Sequence, residues 1–413
     1  PPPPPPPPAP APAPAPAPVP APAPAPQPPA PQPPAPQQLS TDWKWGISNA
    51  GAESSNQCYM ISCFQIICHS NVLINYFKSN PGTLVNLLMD LIRNVKNNND
   101  GFEGSRNKMR NIINSEEFCE SGAEAVPRRC EIYRSPLQED AAQFMGDLLD
   151  NIHMESLKNE GDNTMIMSPF KLLFSYRTGK LKRCGQQGCG YNGIKVDEWT
   201  SSMLLRPPFE NKRIQDLIEN NQMEEELEEN YKVSCPDCTA RHGGVDQRNI
   251  NRIKEIIIIP EYNIPKLLFI YLSRFENQGG GAIKNNTKVI LDEVINVNEQ
   301  EYNLSSIIYH SGTLEGGHYI CCIKFRDNNY YLFNDDKIVS MVERYHVLSG
   351  VLAGGFTPYI LLYVHKDEDN FPPLDIQGAY YGGGSKESQV ESAKPVESPK
   401  PIESAGPVEY TFF

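Results

Sequence analysis

The sequence predicts an α+β fold, and three observations carry that prediction. Between about residues 58 and 155, apolar side chains recur every three or four positions, the period of helices with one buried face. From Ile253 onward, short β-branched and aromatic runs alternate with Gly, Asn and Pro, as strands and turns do. Both ends of the 413-residue chain are too biased in composition to join a core. Helices first and strands afterwards describe a helical lobe beside a largely antiparallel sheet, in a body of residues 42–367.

Residues 1–41 are dominated by proline and alanine and are nearly uncharged. Such a segment favours an extended polyproline II arm, about 3.1 Å per residue, acting as a spacer or as a ligand for a proline-recognising domain. Residues 368–413 turn to glycine and a degenerate Val-Glu-Ser-Ala-Lys-Pro repeat, too poor in apolar residues to fold. The chain lacks an initiator methionine and so reads as a fragment or a processed product. The net charge is −13, and no basic stripe with interleaved aromatics appears, which argues against nucleic acid as a partner. No apolar run is long enough to span a bilayer, so no membrane partner is expected. Eleven cysteines, some adjacent and some spaced as metal ligands, point to a reducing intracellular compartment, cytoplasmic or nuclear.

The body opens with Gly46-Ile-Ser-Asn-Ala-Gly and small polar residues leading to Cys58, after which Ile61, Phe64, Cys68 and Val72 recur at helical spacing. Cys58 therefore falls on a first helical turn. Backbone N–H groups and the positive end of the helix dipole there favour thiolate over thiol, the condition for a nucleophile. Leu84, Leu87, Leu88, Leu91 and Val95 mark a second helix, closed by Lys96-Asn-Asn-Asn. A third is read from a Ser135 cap, with Leu137, Ala141, Phe144, Leu148 and Ile152 as its buried stripe. The run Glu224-Glu-Glu-Leu-Glu-Glu reads as a solvated helix face.

In the middle stand Cys184-Gly-Gln-Gln-Gly-Cys189 and Cys235-Pro-Asp-Cys238. Two such pairs can close one tetrahedral four-cysteine site around a structural zinc, and reduced thiols without metal are the alternative. His242 is read as a surface histidine rather than a ligand. Strands follow at Ile256-Ile-Ile-Ile, Leu267-Leu-Phe-Ile-Tyr-Leu, Ser306-Ile-Ile-Tyr, His318-Tyr-Ile-Cys-Cys-Ile, Tyr330-Tyr-Leu-Phe and Tyr359-Ile-Leu-Leu-Tyr-Val.

Two stretches together resemble a known family. The region around Cys58 and the downstream Tyr302…His310-Ser-Gly…Gly316-Gly317-His318-Tyr…Phe333-Asn334-Asp335 are similar to the cysteine and histidine boxes of the ubiquitin-specific proteases. These are papain-like cysteine peptidases that remove ubiquitin. Leu137-Gln-Glu-Asp140-Ala-Ala-Gln-Phe resembles the family's Q-Q-D-A-x-E-F-L helix, and Lys266-Leu-Leu-Phe-Ile-Tyr-Leu-Ser-Arg-Phe its L-x-x-x-L-x-R-F strand. The resemblance implies a helical thumb lobe, an antiparallel β palm and zinc-ribbon fingers over about residues 170–252, with the zinc structural. It implies Cys58 as nucleophile, His318 as base, Asn334 as the orienting group, and Asp140 as a carboxylate near the basic ubiquitin tail. Gly316 and Gly317 offer bare backbone that a substrate can approach. Asp335 is the runner-up to Asn334 and points away from His318 if the stretch stays extended. His310 is read as structural.

Two departures stand out. The family leaves two residues between the box glycine and the cysteine, whereas this chain has six, Ala52–Gln57. By motif order the oxyanion donor is Asn49, and Asn56, nearer the nucleophile, is the alternative. Ile61 also replaces an asparagine. The reading is a thiol-dependent deubiquitinating peptidase with ubiquitin or its conjugates as partner and no catalytic cofactor. The alternative is a catalytically weak ubiquitin-binding scaffold.

Overall fold

The structure, a computed structural model, describes residues 1, 47, 49, 56–97, 101–119, 129–135, 137–160, 167–278, 281–313, 316–335 and 340–370. The proline arm and the C-terminal tail thus lie outside the described residues, except for Pro1 and residues 368–370.

The first half is helical: α1 (Cys58–His69), α2 (Asn71–Ser79), α3 (Thr83–Asn97), α4 (Gly101–Asn114), α5 (Glu116–Cys119), α6 (Arg129–Arg134), α7 (Ala141–Glu160) and α8 (Pro169–Leu172). Every residue of α1 is buried, so no polar face survives to mark its ends by periodicity. Its end is set by Ser70, whose hydroxyl accepts the Leu73 N–H and caps α2, which places Val72 in a separate helix rather than on the α1 stripe. The stripe expected of α3 is present: Leu84, Leu88, Leu91 and Val95 are all buried.

The helix expected from Ser135 begins six residues later. Asp140 is its cap, with Oδ1 accepting the N–H groups of Ala142 (2.7 Å) and Gln143 (2.9 Å). Leu137, on the segment before the cap, is accordingly 66% exposed, while Ala141, Phe144, Leu148 and Ile152 are buried. Pro136 lies outside the described residues.

The second half supplies β1 (Tyr176–Cys184), β2 (Asn192–Thr200), β3 (Met203–Leu205), β4 (Lys212–Arg213), α9 (Ile214–Asn221), β5 (Glu224–Glu226), α10 (Pro236–Arg241), β6 (Ile250–Ile256) and β7 (Leu267–Leu272). It continues with β8 (Phe275–Gln278), β9 (Gly281–Lys284), β10 (Val289–Ile290), β11 (Val294–Val297), β12 (Gln300–Gly312), β13 (Gly317–Lys324), β14 (Tyr330–Phe333), β15 (Ser340–Val342), α11 (Arg344–Leu348) and β16 (Thr357–His365). The order β15-β14-β13-β12-β16-β7-β3 forms the main sheet, antiparallel except for the parallel β3–β7 edge. A separate sheet, β2-β1-β6-β5, makes the fingers.

The main sheet is covered on both faces, which explains the adjacent cysteines. Tyr319, Cys321 and Ile323 of β13 join the core under the helices, while Ile320 and Cys322 join the core on the other side. Among the described residues, nine cysteines carry free thiols and Cys119 is disulfide-bonded.

Two local expectations give way. The glutamate run forms the exposed edge strand β5, because Glu224 and Glu226 pair across from Lys254 and Arg252, a cross-strand charge match that a helix would forgo. The strand expected at Ile256–Ile259 ends at Ile256. Ile258 takes φ 61°, its carbonyl accepts the Asn298 amide, and the chain turns there from fingers to palm.

The ordered body also reaches beyond 367. Asn370 is fully buried, accepting from Ser70 Oγ and Val72 N and donating to Ser305 Oγ. It ties the start of α2 to β12.

Candidate active site

Cys58 is the first residue of α1 and is 2% exposed. Its sulfur accepts the backbone N–H of Tyr319 at 3.4 Å, so α1 docks on the strand that carries His318. The expected lowering of its pKa does not hold at rest. Burial pushes the Cys58 thiol up to about 11, the Tyr319 N–H pulls down, and the Asp335 carboxylate raises it again. A helix end is worth about 1 kcal/mol or less at exposed positions, too little to offset desolvation of a thiolate.

His318 opens the body of β13, and its Nε2 lies 2.7 Å from Asn334 Oδ1. An amide oxygen only accepts, so Nε2 carries the proton and Nδ1 is left as the basic nitrogen of the neutral ring. Asn334 follows directly on β14, whose pairing with β13 aligns Phe333 with Cys321.

Asp335 does not point away. The chain leaves the strand after Phe333, and Asp335 takes φ 50°, a conformation that aspartate tolerates, so the alternation of an extended stretch does not apply. Its Oδ2 lies 3.7 Å from His318 Nε2 and accepts from Asn49 Nδ2 at 3.2 Å. The motif-order donor Asn49 is therefore brought to the histidine's neighbourhood. Asn56 is exposed. Residues 50–55, which include four of the six residues between Gly51 and Cys58, lie outside the described residues.

The glycines before His318 differ in role. A Cβ on Gly316 would meet open space, whereas one on Gly317 would fall 2.3 Å from His310 Nε2. Packing demands glycine at 317; only Gly316 fits the expectation of open, approachable backbone. Gly317 N donates to Gln138 Oε1 (2.8 Å), a contact across the lobes that the sequence did not single out, although Gln138 stands beside the recognised Asp140. Asp140 caps α7 with one oxygen and accepts the Tyr359 hydroxyl with the other, so its carboxylate is engaged within the fold. His310 is buried between Phe275, Tyr319 and Tyr359, and burial with nearby Lys284 takes its pKa down to about 3, consistent with a neutral structural ring.

The four finger cysteines converge. The sulfurs of Cys184, Cys189, Cys235 and Cys238 all lie within 4.8 Å of one another, with Cys184–Cys238 at 3.7 Å and Cys189–Cys235 at 3.8 Å. A tetrahedron of thiolates at zinc–sulfur bonds of about 2.3 Å has edges of about 3.8 Å, so this donor set fits zinc. His242 is turned to the Cys238 carbonyl and is not part of the cluster.

A buried thiol at a helix start, docked on the strand that carries a histidine–asparagine pair, is the framework of a cysteine-type hydrolase. The family model of ubiquitin carboxyl-terminal hydrolases matches residues 45–363, and the chain belongs to that family. It is 25% identical over 261 residues to the probable ubiquitin carboxyl-terminal hydrolase 9 of Schizosaccharomyces pombe, covering 60% of this chain and 42% of that protein. It is 24% identical over 293 residues to ubiquitin carboxyl-terminal hydrolase 11 of the same yeast, covering 69% and 76%. The chain thus spans less than half of the first relative and about three quarters of the second. Its fold is similar to that in the SAGA Ubp8/Sgf11/Sus1/Sgf73 DUB module bound to ubiquitin aldehyde, with a TM-score of 0.62 at 17% identity over 80% of this chain and 72% of that one. No single described helix is long and apolar enough to cross a membrane.

Proposed function

We propose that this chain is a thiol-dependent deubiquitinating peptidase that hydrolyses the peptide or isopeptide bond after the C-terminal glycine of ubiquitin. The observation that carries the reading is Cys58 at the start of α1, bonded to the strand whose His318 is oriented by Asn334. His318 Nδ1 takes the thiol proton as Cys58 Sγ attacks the glycine carbonyl, and the resulting oxyanion is met by the Cys58 N–H and the Asn49 amide. The imidazolium then protonates the leaving amine, leaving a thioester on Cys58. Water, deprotonated by the same nitrogen, attacks the thioester and releases ubiquitin's carboxylate and the free thiol. Burial raises the pKa of the Cys58 thiol, which supports transfer of its proton to His318 accompanying the attack.

Cys184, Cys189, Cys235 and Cys238 would hold a structural zinc, which closes the fingers and leaves no open coordination position. Asp140, its oxygens already taken by the start of α7 and by Tyr359, would offer the basic ubiquitin tail its negative charge, and Gly316 would line the tail's path. The nine free thiols, set against one disulfide-bonded cysteine, support an intracellular setting, and the proline arm would serve as a semi-rigid spacer or engage a proline-recognising domain. A catalytically weak scaffold is the lesser reading, since the Tyr319 N–H contact to Cys58 and the His318–Asn334 hydrogen bond both support a working triad.

Ubiquitin bearing a C-terminal electrophile tests the reading. A covalent adduct mapped to Cys58 and lost in Cys58→Ala supports it, and binding without an adduct would favour the scaffold.

A further inference from the structure

One aromatic side chain stands against His318 from a part of the chain that the hydrolase chemistry has not used. The turn Val351–Phe356 lies between α11 and β16. Its ends are tied by the Leu352 N–H donating to the Phe356 carbonyl at 3.0 Å, and Gly354 and Gly355 take φ 84° and 74° to make the bend. The bend returns Phe356 over its own glycine: a Cβ on Gly354 would lie 3.3 Å from the Phe356 ring. That ring is half-buried, packed on one side against the palm core and on the other edge-on to the His318 imidazole, with centroids 5.9 Å apart and planes at 70°.

The position of this ring is fixed through the strand that pairs with His318. Ser311 of β12 is directly cross-strand from His318, and its hydroxyl donates to the Gly354 carbonyl at 2.9 Å. One register along, His310 pairs with Thr357, the first residue of β16 and the neighbour of Phe356. The turn is therefore clamped to the partner strand of β13 at two successive positions. His318 gains from such a contact, because its side chain is still 35% exposed and, among the described residues, its polar contacts to Asn334 (2.7 Å) and Asp335 (3.7 Å) both fall on Nε2. An imidazole bonded at Nε2 alone can rock about that bond, and water can compete for it; an aromatic ring in edge geometry restricts both.

We propose that Phe356 is a positioning residue for His318: it holds the imidazole plane so that Nδ1 meets the Cys58 thiol, and it shields the His318–Asn334 hydrogen bond from water. The role acts through His318 and involves no contact with substrate. It rests on the deubiquitinating reading, and the clamp through Ser311 predicts that loss of that hydroxyl weakens the same function more mildly.

Turnover of a ubiquitin C-terminal fluorogenic amide, together with ubiquitin affinity measured in the Cys58→Ala background, tests this. The control comes first: wild-type turnover that Cys58→Ala abolishes establishes the hydrolase reading independently of Phe356. Phe356→Ala is then expected to lower kcat about tenfold with ubiquitin affinity unchanged, since misplacing a catalytic group costs rate and not binding. Phe356→Tyr should restore most of kcat, Phe356→Leu should not, and Ser311→Ala should give a smaller loss of the same kind. The imidazole resonances of His318, assigned with His318→Gln, should shift and broaden in Phe356→Ala, a readout that a purely structural role would leave alone. Weakened ubiquitin binding would make Phe356 a substrate contact and overturn the proposal. Unchanged kcat, or equal loss in the Ala, Leu and Tyr variants with unmoved His318 signals, would overturn it as well.

Discussion

Asn49 Nδ2 donates to Asp335 Oδ2 at 3.2 Å across 286 positions of sequence, and the same carboxylate oxygen stands 3.7 Å from His318 Nε2. Asn49 and His318, the proposed oxyanion donor and base, are thereby referred to one side chain. Asn49→Ala and Asp335→Ala should each lower kcat/KM by about 10²-fold, the cost of one oxyanion donor. The double variant should lose little more than either alone, because the second substitution removes a partner already lost. Asn56→Ala, at an exposed position, should be close to silent. Additive losses in steady-state assays would show that the two residues act separately.

Burial of Cys58 fixes a pH dependence. With its thiol pushed up to about 11, alkylation of Cys58 by iodoacetamide in the free enzyme should be slow at neutral pH and should rise as pH approaches 11. The folded protein holds this proton more tightly than the unfolded chain does. The associated stability is therefore complete below about pH 8.5, the unfolded thiol value, and is lost as pH rises through 11. Mass-spectrometric rates on Cys58 against a denatured control check the sign; fast alkylation at neutral pH would contradict it.

In the fingers, Cys235→Ser should abolish metal retention and loosen the β1–β6 sheet while leaving the main-sheet core intact, since the cluster forms a small separate core with Ile250. Metal analysis should find one zinc per chain in the wild type and none in the variant. Purified wild-type protein free of zinc would defeat the assignment.

Arg274 is fully buried and donates to three backbone carbonyls: Pro358 at 2.6 Å, and Asn285 and Thr287 at 2.9 Å each. Burial lowers its pKa to about 10, which still leaves it charged at neutral pH. Arg274→Met should destabilise the fold by about 3 kcal/mol or more, because three buried acceptors lose their donor together. Urea denaturation measures this, with activity falling only as the fold does.

What the sequence disclosed, and what it hid, divides along physical lines. The juxtapositions of His318 with Asn334, of α1 with β13 and of the four finger cysteines were legible because the proposed chemistry of each dictates residue type and spacing. The α+β order was legible from periodicity. The α1–α2 break was not, since α1 is buried all round and the stop is a single serine hydroxyl. The direction of Asp335 was missed because it depends on one left-handed backbone angle, and the clamp on Phe356 because it joins residues that only strand pairing makes neighbours. The raised thiol pKa was misread for a similar reason: the helix end is visible in sequence, whereas the packing that buries it is not.

The last described strand is also an inner strand. β16 lies between β12 and β7 and pairs with both. On a ribosome, the main sheet stays split until residues 357–365 have cleared the exit tunnel, however early the helices settle. A nascent chain is thus expected to carry both halves of its proposed catalytic machinery for about 2–6 s of synthesis, at about 5–20 residues per second, without being able to use them. Proteolytic loss of β16 would silence the enzyme as surely as removal of its cysteine.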